Sequence, residues 1–317
     1  MNLPIDVALT ESDLARDFLT ALERRDIPEK FFYWFPLSVR AWLALCGEGE
    51  YRNFSRSHQV ILRHAADVAR MVPAGAVEVI SLGAGQGDKD RLVLDALAAA
   101  GRRVRYRPVD ASMGLLEIAV RDAITGGHAT RGLKADLAEP AQLAELLTQT
   151  EGVDTTRLFM LLGNTLGGFD PARLARQLAA MMRAGDLALV DGELFAGQET
   201  LAGYDNPINR RFAFGPLAAA GLTSEDGTLT FEIERDGRRA GLYRVAKHFT
   251  ASRDAALRAA GETLVLHTGD RLQMSPSHKY DEEAYFGILE EAALAPQAVF
   301  RSDDGLFLMA VVAARQP

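Results

Sequence analysis

The sequence predicts an α/β protein built on an open parallel sheet with helices on both faces. Three observations carry that expectation. From Val77 to Asp191, short β-branched apolar runs alternate with helical-period segments, the pattern of repeated strand–helix–strand units. The first of these runs ends in Gly83, Gly85 and Gly87 just before the helical pattern Lys89–Ala100. The next two runs close on acids, Asp110 and Asp136.

Composition bounds the class. A chain of 317 residues with 48% hydrophobic content can bury a sizeable core. The net charge of −8 argues against nucleic acid as a bulk partner, because phosphate binding needs a concentrated basic surface. One cysteine, Cys46, excludes an internal disulfide and a cysteine-rich metal cluster, so the expected compartment is a reducing cytoplasm. Met1–Leu14 has no basic-then-apolar run, and no stretch reaches membrane-spanning length, so neither a signal peptide nor a membrane partner is expected. The expected partner is a small molecule; nothing in the sequence sets the oligomeric state.

In chain order, Asp13–Arg25 reads as a helix capped by Thr10, Ser12 or Asp13 and ended by Ile27-Pro28. The aromatic run Phe31–Phe35 reads as core packing, with part of a cofactor lid as the other reading. A helix over Pro36–Leu45, a polar loop over Gly47–Ser57 and an amphipathic helix over Ser57–Val72 follow. Strands are expected at Val77–Leu82, Val104–Val109, Gly132–Asp136, Thr156–Leu162 and Leu187–Asp191, with a helix over Pro171–Arg183. After Gly197 the rhythm breaks. A polar loop, a hairpin of Leu229–Arg235 and Gly241–Thr250 turning at Asp236-Gly237, and an apolar run near Glu262–His267 suggest an inserted unit. A helix over Asp281–Ala292, a strand near Ala298–Arg301 and the strand Leu306–Ala313 close the chain as a hairpin. The expected organisation is an N-terminal helical segment (1–72), a core (73–197 with 281–317) and an inserted α+β substrate or lid subdomain (198–280).

Ligands of an open parallel sheet sit beyond the carboxyl ends of its strands, so the residues just past each strand matter most. Here they are the glycines, Asp110, Asp136 and Gly163-Asn164-Thr165. An acid after the second strand can hold the hydroxyls of a ribose, the other reading being a turn aspartate in solvent. Charge selects the nucleotide. Asp88 would repel a pyrophosphate, the third glycine falls one residue early for a dinucleotide turn, and Asp88 also stands where a phosphate loop needs glycine. S-adenosylmethionine has no phosphate; its carboxylate suits the helix start or Lys89, and its ribose suits Asp110.

Ser81-Leu82-Gly83-Ala84-Gly85-Gln86-Gly87-Asp88-Lys89-Asp90-Arg91, Arg107-Pro108-Val109-Asp110-Ala111-Ser112, Ala135-Asp136, Leu162-Gly163-Asn164-Thr165-Leu166-Gly167 and Ser277-His278-Lys279-Tyr280 together resemble the histidine-specific, S-adenosylmethionine-dependent methyltransferases of ergothioneine biosynthesis. The resemblance implies a class I methyltransferase-type, Rossmann-like sheet, whose reversed last strand inserts beside the fifth. It implies S-adenosylmethionine as cofactor and N-methylation of a small amino acid or amine. By the same resemblance Gly83, Gly85, Asp110, Asp136 and Gly163 contact the cofactor, with Lys89 and Tyr33 beside them. Tyr204 falls near the substrate as the candidate catalytic residue, with Asn209, Ser275 and Ser277 as substrate-binding positions. The chain departs from the family at two places: Gly168 stands for an asparagine that holds the substrate carboxylate, and Ser275 stands for a glutamate. The substrate is therefore left open at this point.

Methyl transfer from a sulfonium needs alignment and exclusion of water more than a strong base. Tyr204 suits orienting an amine through its hydroxyl, or packing a loop. Ser277 suits a polar contact or a backbone bond. The six histidines do not cluster: His58 and His64 lie on different faces of one helix, and His248, His267 and His278 are scattered, so no metal is expected. The alternative from another class is a cofactor-binding sensor or assembly partner without turnover. A nicotinamide-dependent reductase is disfavoured by Asp88 and the glycine spacing.

Overall fold

The structure is a computed structural model that describes residues 3–47, 51–148 and 155–315. Its N-terminal part comprises β1 (Ile5–Val7), α1 (Glu11–Glu23), β2 (Asp26–Ile27), α2 (Pro36–Gly47) and α3 (Arg52–Met71). The strand–helix alternation follows as β3 (Ala76–Leu82), α4 (Asp88–Ala99), β4 (Arg103–Asp110), α5 (Met113–Thr125), β5 (Ala129–Thr130) and β6 (Gly132–Lys134). It continues with α6 (Pro140–Thr148), β7 (Thr156–Leu161), α7 (Pro171–Met181) and β8 (Leu187–Glu193). Then come α8 (Gln198–Tyr204), α9 (Pro207–Ala219), β9 (Gly227–Arg235), β10 (Leu242–Ala251), β11 (Ala255–Ala259), β12 (Glu262–Leu266) and β13 (Arg271–Tyr280). The chain returns through α10 (Glu282–Glu291), β14 (Leu294–Arg301) and β15 (Phe307–Ala314).

The large sheet runs β1-β6-β4-β3-β7-β8-β15-β14, with β5 beside β4. Strands β6, β4, β3, β7 and β8 are parallel, and β15 lies antiparallel to β8, as the fold class requires. The central strands are apolar on both faces because helices cover both. One face carries Ile80, Leu82, Phe159 and Leu161 against α7 and α10. Val77, Val79, Leu158 and Met160 meet α3 and α4 on the other. Strand order reverses at β3, which lies between β4 and β7, so a crevice opens past the glycine turn.

A second sheet, β2-β13-β10-β9, packs its apolar face on α1, the aromatic run and α9. Phe31 and Phe32 are fully buried there. The two sheets join where Phe195 N–H donates to Tyr280 O at 2.7 Å.

Several elements differ from the expectation. The N-terminal segment contributes strands as well as helices: β1 extends the large sheet and β2 pairs with β13. The loop expected over Gly47–Ser57 gives way to helix from Arg52, and residues 48–50 lie outside the described residues. The polar loop expected after Gly197 is two helices: Gly197 precedes α8, Asn206 caps α9 with Pro207 in its first turn, and Gly215 and Pro216 are carried inside α9. Strand β13 carries Pro276, which normally demotes a run from strand. The proline sits at an irregularity where the register against β10 shifts between Val245 and Lys247, so no ladder bond needs its missing N–H. The third core strand ends at Lys134, which leaves Asp136 in the turn beyond. Among the described residues no helix is long and apolar enough to cross a membrane.

Candidate active site

One cavity gathers the ends of β3, β4, β6 and β7 on one side and Glu29, Lys30, Tyr33, Trp42, Tyr51 and Phe54 on the other. Gly83 and Ala84 N–H both donate to Val109 O, which bends the chain sharply out of β3. Gly83 has φ of +78°, and a Cβ there would lie 2.9 Å from Thr165 Cγ2, so no larger residue fits. Gly85, at φ +57°, lines the cavity, and a Cβ on it would meet no atom within 4 Å. Its N–H donates to Asp110 Oδ2 at 2.8 Å, while Ser112 N–H donates to Oδ1 at 2.8 Å. Burial pushes the Asp110 carboxyl upward in pKa, and these backbone donors oppose that push.

Asp136 accepts Lys30 Nζ at 2.8 Å and Ala138 N–H at 2.8 Å, so its orientation is fixed from both sides. Lys30 also holds Asp17 at 2.7 Å. Burial acts against the Lys30 ammonium, yet the two carboxylates leave its pKa above the ordinary value. At the end of β7, a side chain on Gly163 would run into Lys89 Nζ, which sits 5.1 Å from the Phe54 ring centroid. The N–H groups of Gly163 and Asn164 both donate to the buried carboxylate of Asp191, at 2.8 and 2.7 Å, and Ser57 Oγ adds a third bond at 2.6 Å. This pins the β7 loop to α3.

The other end of the cavity is aromatic. Tyr33, Trp42 and Tyr51 line it, with ring centroids 5.2 Å apart for Tyr33–Trp42 and 5.9 Å for Trp42–Tyr51. Glu29, Gly168, Phe169 and Ser277 complete that end. Behind Ser277 lies a buried polar network. Lys279 Nζ, fully buried, donates to Ser277 Oγ at 2.8 Å and Tyr204 OH at 2.7 Å, and pairs with Glu193 at 2.8 Å. Asn53 Nδ2 reaches Tyr204 OH at 2.5 Å. Burial pulls the Lys279 pKa down while Glu193 raises it; burial also holds the Tyr204 phenol well above its usual range.

Of the residues expected at a site, Tyr33, Gly83, Gly85, Lys89, Asp110, Asp136, Gly163 and Ser277 line this one cavity. Tyr204, Asn209 and Ser275 are not on its wall. Tyr204 stands behind Ser277, its hydroxyl turned into the network. Asn209 is spent on the α8–α9 junction, donating to Gly203 O and Asn206 Oδ1 at 3.1 Å each. Ser275 is buried in the β13 irregularity, two positions before the residue that reaches the cavity. Glu29, Trp42 and Tyr51 escaped the sequence reading. Their proximity depends on the tertiary fold, although Glu29 opens the turn that carries the aromatic run.

A glycine turn at the switch point, an acid at the next strand tip and a reversed last strand define a class I methyltransferase fold. A structure of similar fold, the crystal structure of a putative methyltransferase from Thermobifida fusca YX, superposes with a TM-score of 0.50 at 10% identity, covering 93% of this chain and 97% of that one. The family model for histidine-specific, S-adenosylmethionine-dependent methyltransferases matches residues 14–314, and the chain belongs to that family. Its relatives include N-methyltransferase fsqC of Aspergillus fumigatus, 23% identical over 90% of this chain and 79% of the relative. They also include histidine N-alpha-methyltransferase of Mycobacterium tuberculosis, 28% identical over 61% of this chain and 60% of the relative. The protein is thus an S-adenosylmethionine-dependent N-methyltransferase.

Proposed function

We propose that this enzyme methylates the nitrogen of a small-molecule amine held against the aromatic end of the cavity. The supporting observation is that the strand-tip glycines and acids and the Glu29–Tyr33–Trp42–Tyr51 wall share one cavity, so donor and acceptor sites adjoin. The residues fit the cofactor: the open space at Gly85 is a cradle that any side chain would fill. Bound there, S-adenosylmethionine supplies a methyl group activated on a sulfonium, which a nitrogen lone pair takes as the carbon–sulfur pair returns to sulfur.

In this reading Asp110 and Asp136 hold the nucleoside, and Lys89 holds the carboxylate of the cofactor. Tyr33, Trp42 and Tyr51 exclude water and offer ring faces to positive charge. Tyr204 is a positioning residue that fixes the Ser277 hydroxyl through Lys279, rather than a catalytic one. Alignment of this kind contributes roughly 7–11 kcal/mol to such a transfer.

The test incubates the protein with S-adenosylmethionine and a panel of amines and amino acids, histidine first, and reads products by mass spectrometry. A product heavier by one methyl is expected. Binding of S-adenosylhomocysteine with no product from any member would instead make the chain a cofactor sensor, and absence of both would sink the assignment.

A further inference from the structure

We infer that the acceptor is an amine with no carboxylate beside its nitrogen, recognised as an ammonium by Glu29 within the aromatic corner. The inference rests on the N-methyltransferase reading above and narrows its substrate class. Glu29 lines the cavity, and its carboxylate accepts the Tyr33 hydroxyl at 3.1 Å; no other hydrogen bond or ion pair closes on it among the described residues. Gly168 opens the space beside it. A Cβ on Gly168 would lie 3.4 Å from Glu29 Cγ and 3.6 Å from Oε1, so this corner is bounded by an anion.

An amino acid acceptor would bring its own carboxylate to within a few ångströms of the amine. In this corner that carboxylate meets Glu29, and like charges held apart from water repel. It would need a cation or an amide donor to replace the lost hydration, and Gly168 stands where the resemblance places that amide. The lysines that line the cavity serve its other end: Lys30 is bound to Asp17 and Asp136, and Lys89 stands beside Gly163. No arginine lines the cavity among the described residues.

Two further lysines, Lys279 and Lys247, lie within electrostatic reach of Glu29. Lys279 is neutralised by Glu193 at 2.8 Å, and buried Lys247 lies over Phe32, 4.6 Å from the ring centroid. Burial disfavours the Lys247 ammonium and the Glu29 charge favours it. Neither lysine is on the cavity wall. Their charges offset part of that of Glu29 without a hydrogen bond to it, and the carboxylate stays on the cavity wall beside rings that attract an ammonium.

The chemistry remains balanced. An alkyl ammonium of pKa about 10 is neutral in only about one part in a thousand at pH 7, so a proton must leave before the lone pair is used. That proton leaves to water, and Glu29 stays the partner of the ammonium form during binding.

The test measures dissociation constants by calorimetry, with S-adenosylhomocysteine present, for histamine against histidine, tyramine against tyrosine and tryptamine against tryptophan. In at least one pair the amine is expected to bind about tenfold or more tighter than its amino acid. Glu29→Gln should weaken that amine by roughly 10- to 100-fold and close the gap, since it removes a charge-assisted bond. Its affinity for S-adenosylhomocysteine should stay that of the wild type, which also reports that the variant is folded. Gly168→Asn, which places a side chain in the corner without a backbone clash, should weaken the same amine independently. Amino acids binding as tightly in every pair, no amine binding at millimolar concentration, or a gap that survives both substitutions overturns the inference. Failure of the wild type to bind S-adenosylhomocysteine is a separate result that overturns the cofactor reading instead.

Discussion

At one end of the cavity the polar groups are mostly backbone, aimed by glycines at φ near +57° to +80° and by carboxylates that accept neighbouring N–H groups. At the other end they are side chains from distant residues: Glu29 on the wall, bonded to Tyr33, and behind the wall Asn53, Tyr204, Glu193 and Lys279, held by one another in a buried network. The contrast predicts different failures. Changes at the first end should alter ligand affinity within an intact fold, whereas changes behind the second should unsettle the fold itself.

The largest expected effect is at the second end. Lys279→Met leaves Glu193 buried beside Arg56, 3.8 Å away, as its remaining cation, and should cost about 3–5 kcal/mol of stability in urea unfolding. Adding Glu193→Gln to the same chain should restore a good part of that loss. An unchanged urea midpoint for the single variant would mean that the network does not carry the wall.

A buried acid off the cavity wall, in the helix behind the first end, acts instead on the fold and is tested by pH. Asp90, in the first turn of α4, has its pKa pushed to about 6 by burial, although the hydroxyls of Tyr106 and Ser81 pull it down. Its folded pKa lies above its ordinary 3.8, so the folded state binds the extra proton between those values. Stability from this group is therefore greatest below about pH 4, falls as pH rises to about 6 and is level above. The full span corresponds to about 3 kcal/mol. Asp90→Asn should remove that part of the slope, seen by comparing the two unfolding curves at pH 4 and pH 7; parallel curves would refute it.

Asp110→Ala should act on affinity. If Asp110 holds the ribose as proposed, losing the carboxylate removes those bonds and frees Gly85 and Ser112 N–H, for a loss of about 2–3 kcal/mol, or roughly 30- to 150-fold, in S-adenosylhomocysteine binding. The melting temperature without ligand should move little by comparison. A variant that binds as tightly as the wild type would shift the nucleoside site elsewhere.

The same contrast explains what the chain discloses before folding. Gly83, Gly85, Asp110, Asp136 and Gly163 are legible because each lies at a strand end or within three residues of one, and the parallel sheet brings strand ends together whatever the helices do. The second end depends on which side chains meet across separate elements. Lys279 sits in a motif that sequence alone could quote, yet its partners Glu193 and Tyr204 lie on β8 and α8, and nothing local marks them as neighbours. Strand β13 itself was obscured by Pro276 and by polar residues whose burial comes from pairing with β10. The N-terminal segment was read as helical because β1 and β2 have only three and two residues, too few to show a strand period.

The smallest effect decides the role of Tyr204. If its hydroxyl only orders Ser277, Tyr204→Phe removes one acceptor from Lys279 and one donor from the network, while Ser277 and Glu193 still hold the ammonium at 2.8 Å. Stability should then fall by about 1 kcal/mol, and the ring should keep its place because its packing with Tyr51, centroids 6.2 Å apart, is untouched. The acceptor KM should rise a few-fold through the loosened Ser277, with kcat nearly unchanged, since an interaction shared by ground and transition states alters KM alone. A large fall in kcat at unchanged KM would put the Tyr204 hydroxyl on the reacting nitrogen, and the wall between network and cavity would have to open during turnover.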